Sequence, residues 1–417
     1  MSELPERWDP RTVAVNRSDA NRFLLRPGQI LAGPGDEGDV GKVLATAGWK
    51  PSDRRAFGVT VFARATVDAD DPAKEVLDAL ATVRRKTADR PQGPVRVAPN
   101  HVLVGEAGAI TMTGEPRVQG GPGSSVRLAK PPAGLPLRTT QRGDGTGVRI
   151  AVLDTGLFRH AWLTAVQPAP GASDVWDVEH DGYADNETGH GTFIAGLIRQ
   201  VAPAAEVYVV KVLDSHGVGD DVTVAAALEQ LPQDVDIVNL SLGGYTDRDA
   251  APLAIACALQ SLRRQRNVVV AAAGNWGSPR PFWPAAFKQV LAVGAVEQRG
   301  GRWVRAPFSD YGWWVDAAAR GVNLRSTFAH DKTKQAQGAT AEPATDPTIA
   351  FDGWAAWDGT SFAAPIAAAV LARTMSRSGL ATAADAQAAL LAGAPPAPQP
   401  DFPLAVLIDE LEGRAEP

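Results

Sequence analysis

The sequence predicts an α/β fold in which a mostly parallel sheet is covered by helices on both faces, preceded by a small α+β domain. Two observations carry this. From residue 148 onward, the apolar runs VRIAVLD, EVYVVKVL, DIVNLSL and NVVVAAA alternate with the helical runs HGTFIAGLIRQ and DDVTVAAALEQL. Strands that read as continuous apolar runs are buried on both faces, and helical crossovers between them make neighbouring strands parallel. Upstream, a stretch rich in Gly, Pro and Ser (TGEPRVQGGPGSSVRLAKPPAGLP) has no sustained apolar period and reads as a linker.

The chain of 417 residues therefore divides into an N-terminal extension (1–19), a small α+β domain (20–112), the linker (113–147) and a large α/β domain (148–417). Within the small domain, residues 23–25 and 29–31 are strand-like, 40–47 helical, and 57–63 alternate as a strand does. The run DPAKEVLDALATVRRK places Val76, Leu77, Leu80 and Val83 on one helical face, and residues 95–104 follow as a strand. The order is β-α-β-α-β.

Bulk properties exclude several classes. Hydrophobic residues make up 45% and charged residues 21%, a globular composition. Lys plus Arg is 41 against 47 for Asp plus Glu, and the resulting net charge of −6 is spread without blocks, which argues against nucleic acid or an anionic membrane as partner. The longest apolar runs, such as residues 366–372 and 404–408, are too short to span a bilayer. The start MSELPERWDP lacks the pattern of a secretory signal, so a cytoplasmic location is expected. Cys257, the only cysteine, has no intramolecular disulfide partner and reads as a small core residue in PLAIACALQSL.

Four residues suggest chemistry. Asp154 ends an apolar strand in AVLDTG, where a carboxylate can be held dry yet hydrogen-bonded and orient an imidazole; alone, such an Asp is more often a turn or cap. His190 in ETGHGTFIAGLI is flanked by Gly189 and Gly191, which permit close backbone approach at the start of a helix. The other histidines, His101, His160, His180, His216 and His330, lie in polar or loop contexts and are expected at the surface. Ser361 in GTSFAAPIAAAVLA opens an apolar helix; it is either a cap or a hydroxyl placed where helix N–H groups face a developing oxyanion. Asn275 in VVVAAAGNWG stands just past an apolar strand, as a turn residue or as a second donor to the same oxyanion.

The four in this order, Asp, His, Asn, Ser, carry a weight that none has alone. With the motifs DTG, GHGT, AAAGN and GTSFAAP intact, the chain resembles the subtilisin family of serine proteases over residues 148–375. The resemblance extends to SLGG at 241–244, LAVGAV at 291–296 and FSDYG from Phe308. It implies a subtilisin-like three-layer fold and a serine endopeptidase in which Ser361 attacks the scissile carbonyl, His190 moves the proton and Asp154 holds the tautomer. Asn275 and the Ser361 N–H would form the oxyanion hole. An extended peptide or protein substrate would pair with Ser241, Leu242, Gly243 and Gly244, while Ala272, Ala273 and Gly274 would line the primary specificity pocket. Phe282 departs from the family pattern; at the pocket floor it would favour small side chains, and the alternative is a core position. Phe193 replaces the histidine usual after GHGT. Residues 326–357 look like an insertion without nameable chemistry.

The small domain resembles the propeptide of the same family, a ferredoxin-like α+β unit with Ala-Pro-Asn near its last strand. That likeness implies a folding chaperone and inhibitor whose tail occupies the active site until the linker is cut; a permanent accessory domain remains open. The reaction requires no cofactor. Calcium is common in the family, but the acidic stretch 174–186 fits no defined loop pattern. A carboxyl peptidase with glutamate as base is excluded by the histidine of GHGT, and the Gly-rich GDGTG precedes its strand where a phosphate loop would follow one. The rival from another class is a catalytically silent binding module that keeps the fold; such a module would have lost a triad or oxyanion residue, and this sequence retains all four.

Overall fold

The computed structural model describes residues 12–16, 18, 21–65, 71–105, 127–132, 143–178, 180, 183–264, 267–331, 334–335 and 351–408. The small unit contains β1 (Ala14–Asn16), β2 (Phe23–Ala32), α1 (Glu37–Ala45), β3 (Lys50–Ala56), β4 (Val59–Ala63), α2 (Pro72–Lys86) and β5 (Val97–Gly105). From β2 to β5 the order is β-α-β-β-α-β, and the sheet runs β5-β2-β4-β3, a ferredoxin-like arrangement. This is one strand more than the sequence pattern suggested. The largely exposed, charged β3 (KPSDRRA) has no apolar alternation to reveal it, and Phe57, with φ 46°, belongs to the turn between β3 and β4. Residues 23–25 and 29–31 form one long strand, and β1, within the expected extension, pairs with β2.

The larger unit opens with β6 (Arg127–Leu128), β7 (Arg149–Asp154), β8 (Gln167–Pro168), β9 (Tyr183–Ala184), α3 (His190–Val201), β10 (Glu206–Lys211), β11 (Val218–Asp220) and α4 (Asp221–Glu229). It continues through β12 (Ile237–Leu240), β13 (Leu242–Gly243), α5 (Leu253–Arg264), β14 (Val268–Ala272), β15 (Val290–Arg299), β16 (Arg302–Arg305) and β17 (Ala317–Arg320). It ends with β18 (Leu324–Asp331), β19 (Lys334–Gln335), β20 (Phe351–Trp357), α6 (Thr360–Ser378), α7 (Ala383–Gly393) and β21 (Val406–Ile408). The main sheet runs β21-β17-β15-β14-β12-β7-β10-β8 with every pair on this path parallel; only β16 joins it antiparallel, through β15.

The apolar runs produce a three-layer molecule because alternate residues of each strand face opposite cores. In β7, Ile150 and Val152 enter a core shared with α3 and α6, while Ala151 and Leu153 enter one shared with α4 and α5. That second core is continuous with the small unit: Phe23, Val76 and Leu80 belong to the same cluster as Val222 and Leu259. Residues 326–357 are not an idle insertion. Across them, β18 and β20 pair antiparallel and dock on α3, where Ser326 Oγ donates to Phe193 O (2.7 Å) and Thr327 Oγ1 to Thr192 O (2.8 Å).

The two units share a sheet. The first half of β5 pairs with β2 (His101 with Leu25, Val97 with Ala32), whereas its second half leaves the small unit and lies antiparallel to both β11 and β13. Val104 thus has Val218 on one side and Gly243 on the other. Two of the histidines expected at the surface are buried instead. His101, in β5, is 1% exposed, lies edge-on to Phe23, and its Nε2 accepts from Asp247 N of the larger unit (3.0 Å). His160 is 9% exposed and caps a short 3-10 turn. In both cases the polar neighbours in sequence hid a ring that tertiary packing covers.

Candidate active site

The site lies at the carboxyl ends of β7, β12 and β14, where open α/β sheets place their ligands. Asp154, the last residue of β7, is fully buried, and its Oδ1 accepts from Thr155 N (2.8 Å) and faces His190 Nδ1 at 2.8 Å. His190 opens α3 and is also fully buried. The close approach of α3 to the turn after β7 depends on Gly191, where a Cβ would stand 2.3 Å from Gly156 O. Burial disfavours the imidazolium, but the carboxylates of Asp154, Glu187 and Asp174 outweigh it and push His190 up to about 9. Trp357 (centroid distance 5.5 Å) and Phe362 (5.2 Å) wall the ring. Among the described residues, His190 Nε2 has no hydrogen-bond partner.

Ser361 is the second residue of α6, so its N–H belongs to the first helical turn, whose N–H groups have no acceptor within the helix. Its carbonyl would ordinarily bond to the N–H four residues on, which Pro365 lacks; Ser241 Oγ fills that role by donating to Ser361 O (2.7 Å) and is itself held by Asn239 Nδ2 (2.9 Å). Ser361 Oγ in turn faces Ser241 O at 3.4 Å. Asn275 Oδ1 accepts from Thr360 N (2.8 Å) and Thr360 Oγ1 (2.9 Å), which leaves the amide nitrogen turned toward the backbone at Gly359. The structure therefore gathers Asp154 with His190, and Ser361 with Asn275 and Ser241, at one end of the sheet.

The remaining sequence-named residues fall beside them. Leu242 and Gly243 pair with β5, and Gly244 pairs instead with Trp283 through two backbone hydrogen bonds (2.8 and 3.0 Å). Ala272, Ala273 and Gly274 are at the end of β14. Phe282 is fully buried, edge-on to Tyr245 and against Gly243, where a Cβ would stand 2.0 Å from its ring. Glycine at 243 is what admits this ring.

The described residues present no group of three or more His, Cys, Asp or Glu able to hold a metal ion. Asp174, from the acidic stretch, is a supporting residue: Thr155 Oγ1 (2.9 Å), Gly189 N (2.9 Å) and Val175 N (2.9 Å) all donate to it, and burial raises it to about 6. Comparison with known proteins agrees with this architecture. The model of the subtilase family matches residues 145–406. The chain belongs to the subtilase family. Among other subtilases, the thermostable alkaline protease of Halalkalibacterium halodurans is 38% identical over 201 residues, 45% of this chain and 51% of that protein. Subtilisin Savinase of Lederbergia lenta is 37% identical over 194 residues, 44% of this chain and 67% of that protein. This chain thus spans about half the length of the first of these relatives. Fervidolysin from Fervidobacterium pennivorans, a keratinolytic enzyme related to subtilisin, shares the fold with a TM-score of 0.56 at 19% identity, over 91% of this chain and 59% of that one.

Sequence reasoning had not singled out Glu187, Asp174, Trp357 or Phe362 as parts of the site. Glu187 had a readable signal, since it stands three residues before His190. Phe362 stands next to Ser361 in GTSFAAP, whereas Trp357 had no signal, because only the chain path brings β20 against α3.

Proposed function

We propose that this subtilase is a serine endopeptidase with Asp154, His190 and Ser361 as its triad. The observation that carries the reading is the buried 2.8 Å contact of His190 Nδ1 with Asp154, at the sheet end that also holds Ser361. Ser361 Oγ attacks the scissile carbonyl while His190 Nε2 accepts its proton, and Asp154 keeps the Nδ1–H tautomer and stabilises the imidazolium. The oxyanion is received by the Ser361 N–H and the Asn275 amide. His190 then returns the proton to the leaving amine, and water hydrolyses the acyl-enzyme by the same route in reverse.

The small unit acts as a propeptide-like inhibitor in this reading. Its β5 supplies an extended strand between β11 and β13, which is how a peptide substrate would add to the sheet. Release follows a cut in the linker at 113–147, most of which lies outside the described residues. In this reading the ring of Phe282, fully buried against Gly243, closes the floor of the primary pocket, so that small residues are favoured before the cut. Incubating a denatured protein substrate with wild type and with Ser361→Ala tests the proposal. Fragments ending in Gly, Ala or Ser, formed by wild type only, are expected; equal fragmentation by both would overturn it.

A further inference from the structure

The motif FSDYG holds an acid that the reaction above does not use. Asp310 is fully buried, and its carboxylate gathers donors from two other loops. Its Oδ1 accepts from Trp276 N (3.0 Å) and Ser278 N (2.8 Å), and its Oδ2 accepts from the Tyr245 hydroxyl (2.9 Å). Its own N–H donates to Gly274 O (2.7 Å). Gly274 O belongs to the peptide unit before Asn275 and Trp276 N to the one after it, so a single residue holds both. The fit is close on the Gly274 side, where φ is 115° and a Cβ would stand 2.1 Å from Asp310 Oδ2. Other bonds join the same two segments without engaging those peptide units: Gly277 N donates to Phe308 O (2.7 Å) and Tyr311 N to Ser278 O (3.1 Å). Ser309 Oγ accepts from Ala295 N (3.0 Å) and so anchors the second segment to β15. The two segments thus have supports of their own, and the carboxylate adds the orientation of what lies between them.

We propose that Asp310 is a positioning residue of the oxyanion hole: by fixing both peptide planes of Asn275, it sets the direction in which the Asn275 side chain leaves the backbone. The proposal deepens the protease reading and rests on it. Because each peptide is planar, holding the plane on either side of Asn275 also holds its Cα–Cβ bond. Thr360 N and Thr360 Oγ1 then fix the amide from its far end (2.8 and 2.9 Å). An oxyanion donor is effective when it is already in place as the charge develops, and a misplacement of about 1 Å can cost on the order of 100-fold in rate. A carboxylate suits this task, since hydrogen bonds to an ionised acceptor are shorter and stronger than those to a neutral one. Asp310 acts through the backbone of Asn275, not on the substrate.

A double-mutant cycle tests this. Asp310→Ser and Asp310→Asn are each made in wild type and in Asn275→Ala, and turnover of a peptide anilide ending in alanine is measured after limited nicking of the linker. Rates are counted per Ser361 labelled to completion by a fluorophosphonate, so unfolded chain does not enter. Asp310→Ser should lower kcat by about 10- to 100-fold with KM nearly unchanged. Asp310→Asn, whose Oδ1 still receives the two N–H groups, should stay within about fivefold of wild type. In Asn275→Ala neither substitution should lower kcat by more than about twofold, because no amide remains to be aimed. Wild-type kinetics in Asp310→Ser, a loss in Asp310→Asn as large as in Asp310→Ser, or a loss that persists without Asn275 would overturn the proposal. If Asp310→Ser does not fold, Tyr245→Phe takes its place by removing one of the donors to the carboxylate: a smaller fall in kcat that vanishes in Asn275→Ala is expected, and no fall, or one that persists there, counts against the proposal. Losses that simply add sink the positioning role alone, whereas absence of Ser361-dependent turnover in wild type sinks the protease reading on which it rests.

Discussion

At the residue scale, the site depends on a few side chains whose orientation is fixed by their neighbours. Asn275 is aimed by two donors from Thr360 to its Oδ1, so Asn275→Ala should remove a preoriented oxyanion donor. In subtilisin itself the loss of this amide costs roughly 2.7–4 kcal/mol in the barrier, a figure belonging to that enzyme. A fall in kcat of about 10²–10³-fold with KM nearly unchanged is expected here, checked by steady-state kinetics. The pH profile carries a second expectation. His190 acts as base only when neutral, and its neighbouring carboxylates push it up to about 9, so kcat/KM should climb with pH until about 9. A profile already flat above the ordinary imidazole range would show that the three carboxylates do not act on His190 as described. The motifs AVLDTG, GHGT, AAAGN and GTSFAAP made these residues legible in the sequence, because each marks a strand end or a helix start. Asp174 was harder to read, since Thr155 and Gly189, which donate to it, stand 15 or more positions away in the chain.

At the element scale, β5 decides how the two units meet. Arg26 on β2 and Arg54 on β3 both reach Asp220 at the start of α4 (3.0 and 2.8 Å), and Arg84 on α2 reaches Asp247 (3.3 Å). Burial alone would raise the Asp220 carboxyl, but the two guanidinium groups outweigh it and hold it below its usual value. Asp220 also caps α4 by accepting from Thr223 N. Asp220→Ala leaves two arginines without their shared partner and uncaps the helix, a loss of roughly 3 kcal/mol. Thermal unfolding of the full chain should show it. A carboxyl that titrates lower when folded contributes above its unfolded pKa and ceases to contribute as pH falls through its folded pKa. The contacts of Asp220 should accordingly weaken below about pH 4, read as faster nicking by an added acid-active protease. The ferredoxin-like sheet was only partly visible in sequence because β3 is an exposed strand of charged residues, and its partner β4 alone shows alternation.

At the scale of the whole molecule, two cores flank the main parallel sheet, and β5 ties the small unit to β11 and β13 of the larger one. The larger domain could be read from its apolar runs, since strands buried on both faces leave continuous hydrophobic segments and α6 is apolar on almost every side. The sharing of β5 between units, and the use of Trp357 on β20 as a wall beside His190, could not be read, because both depend on contacts between residues more than a hundred positions apart. The central claim is that Ser361 is a nucleophile activated by His190. Treating the purified chain with a fluorophosphonate, with the linker intact and after limited nicking, and mapping the adduct by peptide mass measures this directly. The account predicts an adduct on Ser361 in the nicked protein that is absent from Ser361→Ala; no Ser361-dependent adduct in either form would contradict it.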